Sequence, residues 1–148
     1  FLCLIFKRKD IMEKYKFENL ALQEPIVNNR YVVEFLDKNI NIPGYLIQKI
    51  NLPKFSNGEW EEISMSIINI MDCSIITELN KIVNKFDAQY EIQIKFLDPV
   101  GQVNGVWHLS CLITGIDFGD LNYGFKDEES ELLISKIKFK ILECKFEI

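Results

Sequence analysis

Tyr90-Glu-Ile-Gln-Ile-Lys-Phe-Leu-Asp-Pro-Val-Gly101, followed shortly by Trp107-His-Leu-Ser-Cys-Leu-Ile113, decides the fold. Tyr90, Ile92, Ile94 and Phe96 alternate with Glu91, Gln93 and Lys95, the period-two pattern of a strand with one buried and one wet face. Asp98-Pro-Val-Gly101 fits a type I turn, with Asp first, Pro second and Gly fourth. After it Trp107, Leu109, Cys111 and Ile113 share one face, with His108 and Ser110 on the other. Residues 90–113 therefore read as an antiparallel hairpin.

Working outward, the N-terminal side is mostly strand. Tyr31, Val33 and Phe35 alternate with Val32, Glu34 and Leu36. Pro43-Gly44 marks a turn, Tyr45 to Leu52 reads as a second strand stopped by Pro53, and Ser56-Asn57-Gly58 as a loop. Trp60 to Ile70 reads as a third strand. Its apolar phase slips from Ile63, Met65 and Ile67 to Ile68 and Ile70, as a β-bulge would cause. One helix is expected at about 74–86, where Ile75, Ile76, Leu79, Ile82, Val83 and Phe86 form a stripe of period 3.6. Asp72 or Ser74 can accept its first free amides, and Lys81 and Lys85 suit its C-terminal end. Beyond the hairpin, 117–131 is an acidic, glycine-containing loop, and Leu132 to Ile148 is a long strand with another phase shift, after Ile141. The pattern is mainly β: an antiparallel sandwich or barrel of about six to eight strands with one flanking helix.

The chain has 148 residues, 48% hydrophobic and 26% charged, which suits one domain with a real core and excludes wholesale disorder. Its net charge of −5 disfavours nucleic-acid binding through bulk electrostatics. No apolar run approaches the roughly 20 residues of a membrane-crossing helix. Cys3, Cys73, Cys111 and Cys144 are widely spaced and read as reduced, mostly core residues. Phe1-Leu-Cys-Leu-Ile-Phe6 precedes Lys7-Arg-Lys9, the wrong order for a secretory signal. Residues 1–11 are read as an upstream non-native segment, 12–29 as an N-terminal arm and 30–148 as the β domain.

Catalytic and ligand motifs are sparse. His108 and Ser110 share a strand face near Asp117, but positions two apart on a strand stand about 7 Å apart, too far for a nucleophile–base bond. The acidic loop misses the calcium-loop spacing, and no glycine-rich phosphate loop occurs. No catalytic residue, metal or cofactor is assigned, and no enzyme activity is expected.

Three stretches taken together resemble the tail tube proteins of contractile-tailed bacteriophages. They are Asn29–Phe35 with Ile42–Phe55; Trp60-Glu-Glu-Ile63; and Tyr90–Gly101 with Trp107. Ile116-Asp-Phe-Gly-Asp-Leu-Asn-Tyr123 is similar to the segment before that family's last strand. The likeness spans 29–148 in order. It implies a structural virion protein that assembles as stacked hexameric rings inside a contractile sheath and forms a channel for DNA delivery. The implied partners are its own copies, the tail sheath protein, the baseplate or tube initiator, and the tail terminator. DNA would pass without specific binding, and no membrane is involved. The implied location is the virion tail tube, assembled in the host bacterial cytoplasm.

A bore that lets DNA pass must not capture phosphates, so polar strand positions are the candidates for its wall. These are Lys49, Asn51, Glu62, Ser64, Ser66, Glu91, Gln93, Lys95, His108 and Ser110, with Glu91 the expected partner that mutes Lys95 and Lys49. Ring-to-ring contacts are expected at Asn39, Asn41, Phe55, Asn57, Trp60, Asp117 and Asp120, and in the 12–29 arm. An inner-tube subunit of a phage-derived injection particle is the alternative within this class. A monomeric small-ligand-binding β-barrel is the alternative outside it, with a hydrolase using His108 third.

Overall fold

The 90–113 hairpin lies in the middle of the sheet, and everything else is arranged by pairing outward from it. The computed structural model describes residues 25–26, 30–121 and 132–148. Along the chain the strands are β1 (Tyr31–Phe35), β2 (Ile47–Ile50), β3 (Phe55–Ser56), β4 (Glu59–Trp60) and β5 (Ile63–Ile68). Helix α1 (Ser74–Asn84) follows, then β6 (Gln89–Leu97), β7 (Val103–Asp117) and β8 (Ile134–Glu147). Six strands form one antiparallel sheet in the order β1-β6-β7-β8-β5-β2, and β3 and β4 form a separate small hairpin.

The sheet curls until its two edges face each other. The Tyr31 hydroxyl on β1 reaches the carbonyl of Gln48 on β2 at 3.0 Å, with that of Ile47 at 3.4 Å. Gly44 comes so close to β1 that a Cβ there would sit 2.9 Å from the Val33 carbonyl oxygen, so a side chain at this turn would push the edges apart. The result is the expected mainly-β architecture, realised as a nearly closed six-stranded barrel with one helix.

Alternation fills the interior. Val33, Ile63, Met65, Ile67, Ile92, Ile94, Leu109, Cys111, Ile137 and Phe139 point inward and are buried, joined by Ile75, Leu79 and Ile82 of α1. At about 1.5–3 kcal/mol for each large apolar side chain removed from water, this cluster supplies the main stabilising contribution. Ile40, Ile42 and Leu46 of the β1–β2 connection belong to the same cluster. That connection is fastened to the helix by Glu78, whose Oε2 accepts the Asn41 backbone N–H at 3.0 Å.

The β6–β7 turn is built by Asp98. Its carbonyl accepts the Gly101 N–H at 3.0 Å, and its Oδ1 accepts the N–H groups of Val100 and Gln102 at 3.0 and 2.8 Å. Gly101 sits at φ +86°, a conformation glycine adopts without cost. The phase shift expected after Ile141 is a bulge: Glu143 pairs with Ser110 and Ile141 with Cys111, so Leu142 is the extra residue.

Four expectations need correction. The strand expected over 60–70 divides into β4 and β5, and β5 pairs with β8 in unbroken register; the bulge lies on the neighbouring β2, at Gln48. Ile70 breaks phase because the ladder has already ended. The strand expected from Tyr45 begins with a 3-10 turn over Gly44–Leu46. Finally, Val83 and Phe86, 41% and 70% exposed, do not join the buried stripe of α1; the helix ends at Asn84 and Glu78 is buried instead. Residues 1–11, the 12–29 arm apart from Pro25 and Ile26, and 122–131 of the acidic loop lie outside the described residues.

Candidate lumen wall and assembly surfaces

Strand register places Glu91, Gln93, Lys95, His108 and Ser110 on one outer face of the barrel. Glu91 stands opposite Ser110 and Gln93 opposite His108, while β1 contributes Glu34 opposite Gln93. From β8, Lys145 stands opposite His108 and Glu143 opposite Ser110. The wall thus runs across four strands, β1, β6, β7 and the second half of β8.

Its polar groups are largely paired with one another. The Ser110 hydroxyl donates to Glu91 and also accepts from Gln89 Nε2 at 2.9 Å. Gln93 Nε2 lies 3.1 Å from His108 Nδ1, and His108 Nε2 lies 3.2 Å from Glu147. Lys145 reaches Glu147 at 3.4 Å. The hydrogen bond from Lys145 first, and the neighbouring His108 second, hold the Glu147 carboxyl below its ordinary range. Lys95 is paired at 2.9 Å with Glu34 on β1, not with Glu91 as expected. Reaching β1 from β6 requires a contact between residues 61 apart in sequence. Behind the wall, burial pushes the Cys111 thiol up to about 12, which keeps it protonated and unreactive.

The arrangement gives His108 and Ser110 separate partners, so they do not form a nucleophile–base pair. Among the described residues no group of three or more His, Cys, Asp or Glu is placed to hold a metal ion. No helix among them is long and apolar enough to cross a membrane.

The remaining wall candidates form a second group on β2 and β5. Lys49 pairs in register with Ser66, and Asn51 Oδ1 accepts from both the N–H and the hydroxyl of Ser64. Glu62, just before β5, accepts the Thr114 hydroxyl at 2.9 Å. Between the two groups lies the first half of β8, whose outward side chains are Lys136, Lys138 and Lys140. Neither Lys49 nor this lysine row is muted by Glu91.

The ring-contact candidates separate along the β5–β8 ladder. Phe55, Asn57 and Trp60 belong to the β3–β4 hairpin, which precedes the start of β5. Its tip, Asn57 at φ 54° and Gly58 at φ +78°, is the two-residue Asn-Gly turn that matches strand twist. Phe55 packs edge-on against Trp60, with ring centroids 5.1 Å apart, yet stays 60% exposed. Asp117 and Asp120 lie at the opposite end, where β7 finishes beside the start of β8. Asn39 and Asn41 are exposed on the β1–β2 connection beside α1. The sequence reading passed over the seam between β1 and β2, an open slot of about 590 Å³ lined by Tyr31, Gly44, Tyr45, Ile47, Gln48, Lys49 and Ile50. Only the strand order reveals it, because it joins two edges far apart in the ladder.

No family model and no curated protein matches the chain. The solved structures do. The chain shares its fold with parts of contractile injection particles. A chain in the sheath–tube complex of the extracellular contractile injection system PVC, in the extended state, aligns with a TM-score of 0.64 at 14% identity, covering 88% of this chain and 97% of that one. A chain in the PVC sheath/tube terminator structure aligns at 0.63 and 15% identity, covering 86% and 100%. A chain in the six-fold-symmetrised baseplate of the anti-feeding prophage aligns at 0.57 and 19% identity, covering 84% and 97%.

Proposed function

We propose that this chain is a structural subunit of a tail tube, forming stacked hexameric rings within a contractile sheath. What supports the reading above all is the shared fold, which extends over 84–88% of the chain rather than a fragment of it. The geometry suits the role. β1 and β2 leave backbone groups unpaired along an open seam, and closed rings of copies protect such edges. Contact candidates at both ends of the β5–β8 ladder suit a head-to-tail stack, which repeats one heterologous contact along an axis. The β6–β7 wall is our choice for the bore: its polar groups are engaged with one another and its carboxylates outnumber its lysines, so phosphates find little to neutralise.

Under this reading the partners are the sheath, the baseplate or tube initiator and the terminator, and the location is the tail tube of a virion assembled in a bacterial host. A second reading, the inner tube of a phage-derived contractile injection particle, is favoured by the origin of the matching structures. Electron microscopy and sedimentation of the purified chain test the assembly. Rings or tubes of constant diameter are expected. A 17.4 kDa monomer persisting at every concentration and salt would refute it.

A further inference from the structure

We infer that the outer face of β2, β5 and the first half of β8 is a docking surface for a carboxylate-rich face of another protein. Lys136, Lys138 and Lys140 alternate along β8 and are all exposed, which spaces their Cα atoms about 7 Å apart. Register adds Lys49, because it stands opposite Ser66, which in turn stands opposite Lys136. Two strand spacings put Lys49 about 10 Å from Lys136.

Among the described residues, none of these four ammonium groups has a carboxylate within 4.0 Å, whereas Lys54, Lys81, Lys95 and Lys145 each have one. Asp117, opposite Lys136 in register, turns its Oδ1 to the Gly119 N–H, and Glu62 Oε2 accepts the Thr114 hydroxyl, each at 2.9 Å. Lys136, Lys138 and Lys140 carry like charges along one strand face of a chain with a net charge of −5, with Asp117 the one acid opposite them in the paired register. Edge protection does not account for them, because β8 is a central strand.

Ser66 and Asp117 are the register neighbours of Lys136, Ser64 and Gly115 those of Lys138, and Leu112 stands opposite Lys140. No arginine fork and no aromatic ring shares these register positions, so the face lacks the means to grip phosphates bidentately or to stack bases. An array of point charges suits a carboxylate-bearing protein surface. The inference stands apart from the tube reading, since it concerns what this face binds and not whether copies form rings.

Fluorescence anisotropy with labelled poly-L-glutamate at low ionic strength provides the test. The triple variant Lys136→Gln/Lys138→Gln/Lys140→Gln is expected to bind about tenfold more weakly, as three exposed pairs acting together allow. The control Lys54→Gln/Lys95→Gln/Lys145→Gln changes the net charge equally and is expected to bind like the parent. Equal loss in both variants would overturn the inference by reducing it to net charge. Tighter binding of a short DNA duplex than of poly-glutamate would reassign the face to nucleic acid. Two other results would also overturn it: salt-sensitive self-association lost in the first variant, or a several-fold gain in poly-glutamate binding on neutralising Asp127, Glu128, Glu129 and Glu131. They would show the face already occupied by a second copy or by the chain's own acidic segment.

Discussion

Replacing Glu78 with alanine removes the one carboxylate buried among the described residues, and the structure says which of its two bonds matters. Oε2 accepts the Asn41 backbone N–H at 3.0 Å, while Oε1 meets Lys81 at 2.9 Å. Lys81 is 55% exposed, so its ion pair is screened and contributes at most about 0.5 kcal/mol, as i,i+3 and i,i+4 pairs do. The backbone bond is different. Asn41 lies between Ile40 and Ile42, both buried, and a hydrogen bond from its N–H to a charged carboxylate is worth about 1.5–3 kcal/mol. Glu78→Ala is therefore expected to cost about 2 kcal/mol, Glu78→Gln about 1 because the amide oxygen still accepts, and Lys81→Ala less than about 0.5. Urea unfolding followed by the fluorescence of Trp60 and Trp107 reads the series. With a slope of about 2 kcal/mol per molar urea, Glu78→Ala moves the midpoint by about 1 M. A Lys81→Ala loss as large as that of Glu78→Ala would show that the ion pair, not the fastening of the β1–β2 connection, holds this corner.

Cys73 is exposed at a left-handed turn and Cys111 is buried with its thiol pushed up to about 12, so iodoacetamide should label Cys73 in the native state and Cys111 only after denaturation. Peptide mapping after timed labelling checks this, and early modification of Cys111 would contradict the closed barrel. Glu147 has a depressed pKa in the folded chain, so its pairing stabilises above the unfolded carboxylate value of about 4.3 and is lost as pH falls through the lower, folded value. The stability difference between the parent and Glu147→Gln is accordingly expected near neutral pH and absent in strong acid. Urea midpoints across that range measure it, and a difference that persists in acid would assign the effect to packing.

The hairpin at the centre of the sheet was legible because one face of 90–113 is wet and the other dry, which a single sequence displays directly. The bulge after Ile141 was legible for the same reason. By contrast, β3 and β4 are two residues each, too short for alternation to register, and only Asn57-Gly58 announced their hairpin. The β5 phase slip was misplaced because sequence cannot tell a bulge from a ladder that stops. Of the wall, the outward side chains were readable but their partners were not. Lys95 finds Glu34, and His108 finds Glu147, through pairings fixed by strand order. The role of Glu78 was not legible, since nothing in the helix itself records that Asn41 docks there.

The two outer faces of the barrel carry opposite charge tendencies, and this constrains how a tube could use them. Glu34, Glu91, Glu143 and Glu147 oppose Lys95 and Lys145 on one side, while Lys49, Lys136, Lys138 and Lys140 stand together on the other. A lysine face turned into the bore would neutralise phosphates of a passing genome, and each neutralised phosphate strengthens binding through counterion release. The internally paired, carboxylate-rich wall imposes no such drag. If the chain forms the proposed tube, passage of a polyanion favours the β6–β7 side facing inward, with the lysine side turned outward. A tube with the opposite orientation would suit a cationic cargo in place of DNA. Whichever way the barrel turns, the charge on the inward face selects what can travel through.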